Sequence, residues 1–252
     1  METTQFYLHL PSNSSLDTFP DNTLTEYRVG LPQTITLEGE WEVALTEIHY
    51  PHSWNNIRGD FMSRILLRNE DFPIWEVLII PPGHYSTIED VIAKMNELVT
   101  NDQRFKDDVK FTYDSRSRKV TVHLENNTEI SSRDISYLLG FSGPRVISKT
   151  VTAEREADIE DGLHDLYIYC DVVKAQYVGN ALVPLLRIVP VEGVDGQRIN
   201  KSFLRPQYIP VDRKLFETIE INIKRATGES VSFEFGKVLL TVHFRQSRPA
   251  YF

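Results

Sequence analysis

Ile219-Glu220-Ile221-Asn222-Ile223-Lys224 alternates apolar with polar side chains, residue by residue. Successive side chains of a strand point to opposite faces of a sheet, so this stretch reads as a strand with one buried and one wet face. Arg225-Ala226-Thr227-Gly228-Glu229-Ser230 follows with the composition of a turn. Val231, Phe233 and Phe235 then alternate with Ser232 and Glu234, and beyond Gly236 the residues Leu240, Val242 and Phe244 alternate with Thr241 and His243. Strands that are apolar on one face need a second sheet to cover it. The pattern therefore predicts a mainly β protein built on an antiparallel sandwich.

Working back toward the start, Phe6 to Leu10 and Tyr27 to Leu31 are expected strands, the second ended by Leu31-Pro32. Trp41, Val43 and Leu45 alternate with Glu42, Ala44 and Thr46, but the phase slips at Glu47 before Ile48 and Tyr50 resume it. A β-bulge accounts for that slip. Arg64 to Arg68, Leu166 to Val173 and Leu182 to Val189 are further expected strands.

Residues 73–145 follow another rhythm. Ile74 to Ile80 is an apolar run closed by Pro81-Pro82-Gly83. Ser86 and Glu89 fit a capping box, and Ile88, Val91, Ile92, Met95 and Val99 follow at helical spacing. Phe111 and Tyr113, then Val120, Val122 and Leu124, flank a turn at 114–118 and predict a hairpin. Ser131 to Leu139 suggests a second short helix stopped by Gly140. The expected organisation is a sandwich in two parts, 1–72 and 146–252, with a small inserted α/β domain at 73–145.

Composition narrows the function. The chain has 252 residues, enough for one large β domain or two smaller ones, and a net charge of −9. Residues 1–145 hold 13 basic against 22 acidic side chains, whereas 146–252 hold 14 of each, and no basic stripe occurs. Direct nucleic-acid binding, which draws on neutralised phosphates, is not expected. No apolar stretch is long enough for a membrane span, and no signal peptide is visible. Cys170 is the lone cysteine, so an intramolecular disulfide is impossible and a reducing compartment is the simplest expectation.

Catalytic signatures such as a P-loop, GxSxG, HExxH or CxxC are missing from the sequence. His49 and His52 are three apart, as metal ligands can be, but Pro51 makes the segment a strand end with no third ligand indicated. His164, Asp165 and Cys170 could form a nucleophilic set; a cysteine within Tyr167-Ile168-Tyr169-Cys170 reads better as a small core residue. The acidic run Glu154, Glu156, Asp158, Glu160, Asp161 and Asp165 departs from calcium-loop spacing and reads as a solvated loop. Trp41, Trp54 and Trp75, with the tyrosines, could line a sugar site, though packing is the favoured reading. No catalytic, cofactor or metal residue is expected, and the chain is not expected to be an enzyme.

A series of segments goes further. Phe6-Tyr7-Leu8-His9-Leu10-Pro11-Ser12 with Phe19-Pro20-Asp21-Asn22-Thr23 forms an opening, and Gly39-Glu40-Trp41-Glu42-Val43-Ala44-Leu45 through Ile48-His49-Tyr50-Pro51 continues it. Pro82-Gly83-His84-Tyr85-Ser86, Tyr137-Leu138-Leu139-Gly140-Phe141, Phe203 to Val211 and Val242-His243-Phe244-Arg245 complete it. In content and order this series resembles the penton, or minor capsid, protein of Polinton (Maverick) elements and the related adintoviruses. The resemblance implies a single jelly roll forming homopentamers at the vertices of an icosahedral capsid, beside a double jelly-roll major capsid protein. It implies a virion protein made in the host cytoplasm, with assembly in the nucleus, and no catalytic residue or cofactor. A carbohydrate- or receptor-binding sandwich is the alternative.

Overall fold

The computed structural model describes residues 4–59, 63–131, 135–143, 145–160 and 162–247. The strands are, in chain order, β1 (Gln5–Pro11), β2 (Glu26–Thr36), β3 (Trp41–Pro51), β4 (Arg64–Arg68), β5 (Glu76–Ile79), β6 (Val109–Asp114), β7 (Lys119–Leu124), β8 (Glu129–Ser131) and β9 (Val146–Ile147). They continue with β10 (Val151–Thr152), β11 (Asp165–Cys170), β12 (Gln176–Val178), β13 (Ala181–Val183), β14 (Leu185–Pro190), β15 (Arg198–Ser202), β16 (Ile209–Pro210), β17 (Leu215–Lys224) and β18 (Leu239–Gln246). Two helices, α1 (Ile88–Asn101) and α2 (Ile135–Leu138), fall between β5 and β6 and between β8 and β9. The chain divides into two compact units, Met1–Trp54 with Leu163–Phe252, and Asn55–Gly162.

The first unit is the sandwich. One sheet runs β1-β18-β3-β15, with β16 also on β3; the other runs β14-β11-β17-β2. Counting these eight main strands along the chain, the sheets read first-eighth-third-sixth and fifth-fourth-seventh-second. Every pairing is antiparallel. That double Greek key is a single jelly roll. Between the sheets lie Ile219, Ile221 and Ile223 of β17, Leu166, Ile168 and Cys170 of β11, and Leu240, Val242 and Phe244 of β18, all buried.

The phase slip in β3 is a bulge at Thr46. Thr241 of β18 pairs with Glu47 but Val242 pairs with Leu45, and the Thr46 hydroxyl donates to the Thr241 carbonyl at 3.0 Å. Four expectations for this unit need correction. β2 runs past Pro32 to Thr36; its ladder to β17 jumps from Gly30 to Ile35, so Pro32 sits in an outward bulge on an edge strand, where its missing N–H leaves no ladder bond unmade. The expected strand Leu182 to Val189 is split at Pro184 into β13 and β14. The stretch from Val231 to Phe235 is not a strand. It makes the single bridge Trp54 with Phe233, just beyond the Lys224–Ser230 bridge; Val231 donates to the Ile223 carbonyl, Glu234 and Phe235 bond to Ser53, and Phe235 is 56% exposed. The polar face of β18 is not wet: Thr241 and His243 are both buried.

The second unit is wider than the expected 73–145, beginning at 55 and ending at 162. Strand pairing explains this. β4 pairs with β5 and β8, and β9 and β10 pair with β8 and β7, so the elements on both sides of 73–145 bond inside this unit. Its sheets run β5-β4-β8-β9 and β10-β7-β6. The helix is where the periodicity put it, with Ile88, Val91, Ile92, Met95 and Val99 buried. Its cap lies one residue later than expected: Thr87 Oγ1 accepts the Asp90 N–H at 3.2 Å, and Asp90 accepts the Thr87 N–H at 3.0 Å. The Asn96 side chain accepts the Phe111 N–H and donates to the Phe111 carbonyl, both at 2.8 Å, tying α1 to the edge strand β6.

Of the expected helix Ser131 to Leu139, only Ile135–Leu138 is helical; Ser131 ends β8, and 132–134 lie outside the described residues. Gly140 does close that turn, at φ +85°, where an added Cβ would come within 2.4 Å of the Arg155 carbonyl oxygen. That contact belongs to the acidic run, which is not a merely solvated loop. Arg155 and Asp158 donate backbone N–H groups to Gly140 and Leu138, Glu154 pairs with Arg145 at 2.6 Å, and Asp158 accepts the N–H groups of Glu160 and Gly162. Asp161 lies outside the described residues.

Candidate functional site

Four of the motif segments that lie far apart in sequence meet on one sheet. The opening segment is β1, the Trp41 segment is β3, the closing segment is β18, and Phe203 to Val211 carries β16. Because β1, β18 and β3 are neighbours, side chains of equal parity converge on the outward face of this sheet. Tyr7 pairs across the ladder with His243 and stacks on its ring at 4.3 Å. The Tyr208 hydroxyl lies 2.7 Å from His243 Nδ1, and the Arg245 guanidinium sits 3.4 Å over the Tyr208 ring while its Nε donates to Glu42 at 2.5 Å. Five residues from four segments thus interlock in a single cluster.

His243 is only 6% exposed. Burial, with the nearby Arg245 charge second, holds its pKa below the ordinary histidine value. The other ring nitrogen, Nε2, is buried and finds no partner. Nearby, His9 Nδ1 lies 3.1 Å from the Thr241 hydroxyl. The arrangement is a stacked aromatic and hydrogen-bonded surface. It can present Tyr7, half of which is exposed, to a macromolecule.

The residues considered from sequence are dispersed. His49 Nε2 lies 3.0 Å from Glu47 on the outward side of β3, whereas His52 stacks on Trp54 at 3.9 Å and its Nδ1 lies 3.1 Å from the Glu192 carbonyl oxygen. No group of three His, Cys, Asp or Glu side chains that could hold a metal occurs among the described residues. Asp165 and Cys170 fall on opposite faces of β11. Cys170 is buried in the core, where desolvation pushes its thiol up to about 12, far from a reactive thiolate.

Trp54 is 3% exposed and packs on His52 and Phe233, so it offers no stacking face to a sugar. Trp41 donates its indole N–H to the Glu38 carbonyl at 2.8 Å, and the Trp75 ring lies under the Arg68 guanidinium. Composition and spacing alone did not single out His243 with Tyr208, or the buried Asp108 that accepts from Asn69, Asn126 and Thr128 in the second unit. The resemblance did quote His243 and Tyr208, because their segments belong to its series.

Fold and site together define a jelly-roll protein with a large insertion between its third and fourth sandwich strands. Compared with known protein families and with curated proteins, the sequence matches none. Among solved structures, it is similar to a crystal structure of the selenomethionine-labelled mavirus penton protein, at 12% identity and a TM-score of 0.49, covering 96% of this chain and 100% of that one. Among the described residues no helix is long and apolar enough to cross a membrane.

Proposed function

We propose that this chain is a penton-type minor capsid protein that forms homopentamers at the vertices of an icosahedral shell. It would sit beside a double jelly-roll major capsid protein, as in the Polinton and adintovirus group. The observation that carries this reading is the convergence of four segments of the motif series on one sheet of a single jelly roll. Four of the segments that give the resemblance are the strands β1, β3 and β18 and the crossing that holds Tyr208, and their side chains interlock at His243. In this reading the role is structural, the protein resides in the virion, and assembly follows synthesis in the host cell.

A ring of more than two subunits uses a head-to-tail contact that buries different surfaces of each protomer, and a specific contact buries roughly 1,000 Å² or more. The net charge of −9 makes protomers repel, so pentamers should form more readily at moderate to high ionic strength, where repulsion is screened within about 8–10 Å. Native mass spectrometry across salt and protein concentration, alone and with a double jelly-roll major capsid protein, tests this. A five-fold species is expected. A stable dimer or trimer under every condition, with no five-fold species even in the mixture, sinks the reading.

A further inference from the structure

The two flanks of the sandwich differ. On one, the open edge of β2 is covered by the arm between β1 and β2. Ser15 Oγ accepts the Gly30 N–H at 2.9 Å, and Asn22 accepts the Arg28 N–H at 2.9 Å while donating to the Arg28 carbonyl at 2.8 Å. The strand edge is thereby closed to strand addition at these positions. The arm leaves Leu16, Asp17 and Asp21 exposed beside a cleft of about 310 Å³ that Phe19 and Glu26 also line.

On the other flank the edge strands are β14 and β15. In the β11–β14 ladder Arg187 pairs with the buried Ile168, so its side chain enters the mouth between the sheets. Its guanidinium lies 3.7 Å over the Phe203 ring, and Nη1 is buried without a hydrogen-bond partner. Leu204, the next residue, is 99% exposed. The connection between β11 and β14 throws out the β12–β13 ribbon, in which Tyr177 pairs directly with Leu182 on one face. Tyr177 is 87% exposed and Leu182 60%. An isolated two-stranded ribbon is marginal in water, and this one has three paired positions. Among the described residues, nothing buries its apolar pair.

We propose that the flank formed by β14, β15 and the β12–β13 ribbon docks on a second copy of this chain, and that the copy presents its arm-covered β2 flank. The identity of the occupant rests on the vertex reading, because closing a ring joins one flank of each protomer to the opposite flank of the next. Charge complementarity supports the same pairing. Arg187 Nη1 lacks an acceptor and Arg198 is exposed on the ribbon side, whereas the arm offers the carboxylates of Asp17 and Asp21. The carboxylates fix the direction of docking, and the apolar groups Tyr177, Leu182, Leu204 and Leu16 supply the affinity. A small rotation of the Arg187 guanidinium hands its unpaired N–H to an arriving carboxylate.

The test uses the full chain and sedimentation velocity across salt and concentration. One double variant removes the ribbon surface (Tyr177→Ser with Leu182→Ser); another reverses the arm (Asp17→Lys with Asp21→Lys). All four residues are exposed, so melting should be unchanged; if the ribbon variant does not melt cooperatively, Leu204→Ser replaces it. Each variant alone should lose association at least about tenfold, and the two mixed should form a one-to-one dimer that cannot grow, since only one competent flank of each kind remains. Wild-type association that both variants retain overturns the flank assignment and leaves the vertex reading standing. Variants that lose association but do not pair when mixed overturn the head-to-tail contact. Wild type that never associates by itself also overturns the assignment, and the vertex reading is then decided separately by five-fold incorporation with the major capsid protein.

Discussion

In the jelly-roll unit, neighbours in space are distant in sequence: Phe6 of β1 pairs with Phe244 of β18, and the third and fourth sandwich strands are separated by the whole of 55–162. In the second unit the main contacts are local, such as the β6–β7 hairpin and the Asn96 bonds to Phe111. Loop closure must precede the reward from distant pairing, so local contacts form faster. The second unit is therefore expected to fold first, holding Trp54 and Leu163 at the ends of one preformed block while the two parts of the sandwich find each other.

The harshest way to break this comparison is to remove 56–161 and bridge the ends with a short Gly/Ser linker. If each unit carries its own core, circular dichroism should still report a cooperatively melting β protein, because inserted domains close on themselves. Loss of cooperative melting would make the sandwich dependent on the insertion. Next in size are truncations in each core. Phe244, fully buried and stacked on Phe6 and Phe216, should cost about 3–5 kcal/mol as Phe244→Ala, and Phe111→Ala should cost a similar amount in the other unit. In calorimetry each should lower only its own unit's transition.

Smaller effects sharpen the picture. Phe233→Ala should cost only about 1–2 kcal/mol, because Phe233 is half-buried on a single bridge rather than held in a ladder. Thr87→Ala removes the cap of α1 and should cost about 1 kcal/mol, read as faster amide exchange at the start of that helix alone. The smallest concerns pH. His243 has a folded pKa below its ordinary value, so as pH falls from about 6.5 the unfolded chain takes up a proton that the folded chain refuses. Stability present above that pH is lost below it until the folded ring also protonates. In chemical denaturation His243→Gln should flatten this part of the pH profile; an unchanged profile would show that other groups cause it.

How much of this was legible depended on where each segment found its partners. Ile219, Ile221 and Ile223 lie in a strand with a neighbour on either side and a core beneath, so their period translated directly into burial. The Thr46 bulge was readable because a phase slip has few other causes. Phe233 and Phe235 kept the same period but bond to the turn around Ser53, and period two alone does not reveal a missing neighbour. The boundaries of the second unit were misplaced because β4, β9 and β10 look like sandwich strands until their ladders are known. The interlock at His243 was beyond pattern reading, since β18 and the Tyr208 crossing meet only through the jelly-roll order, and a histidine on an alternating strand reads as wet.

Cys170 lends itself to a further use. It is the single thiol of the chain and stands at the end of β11, deep between the two sheets. With its acidity suppressed to about 12, no reagent meets a thiolate there while the sandwich stays shut. A chromophoric thiol reagent therefore works as a stopwatch wired to one place: each colour-forming event records one opening of the jelly roll and none of the other unit. Its rate, compared with and without assembly, would register how firmly neighbouring subunits clamp the fold, without a probe having been engineered into it.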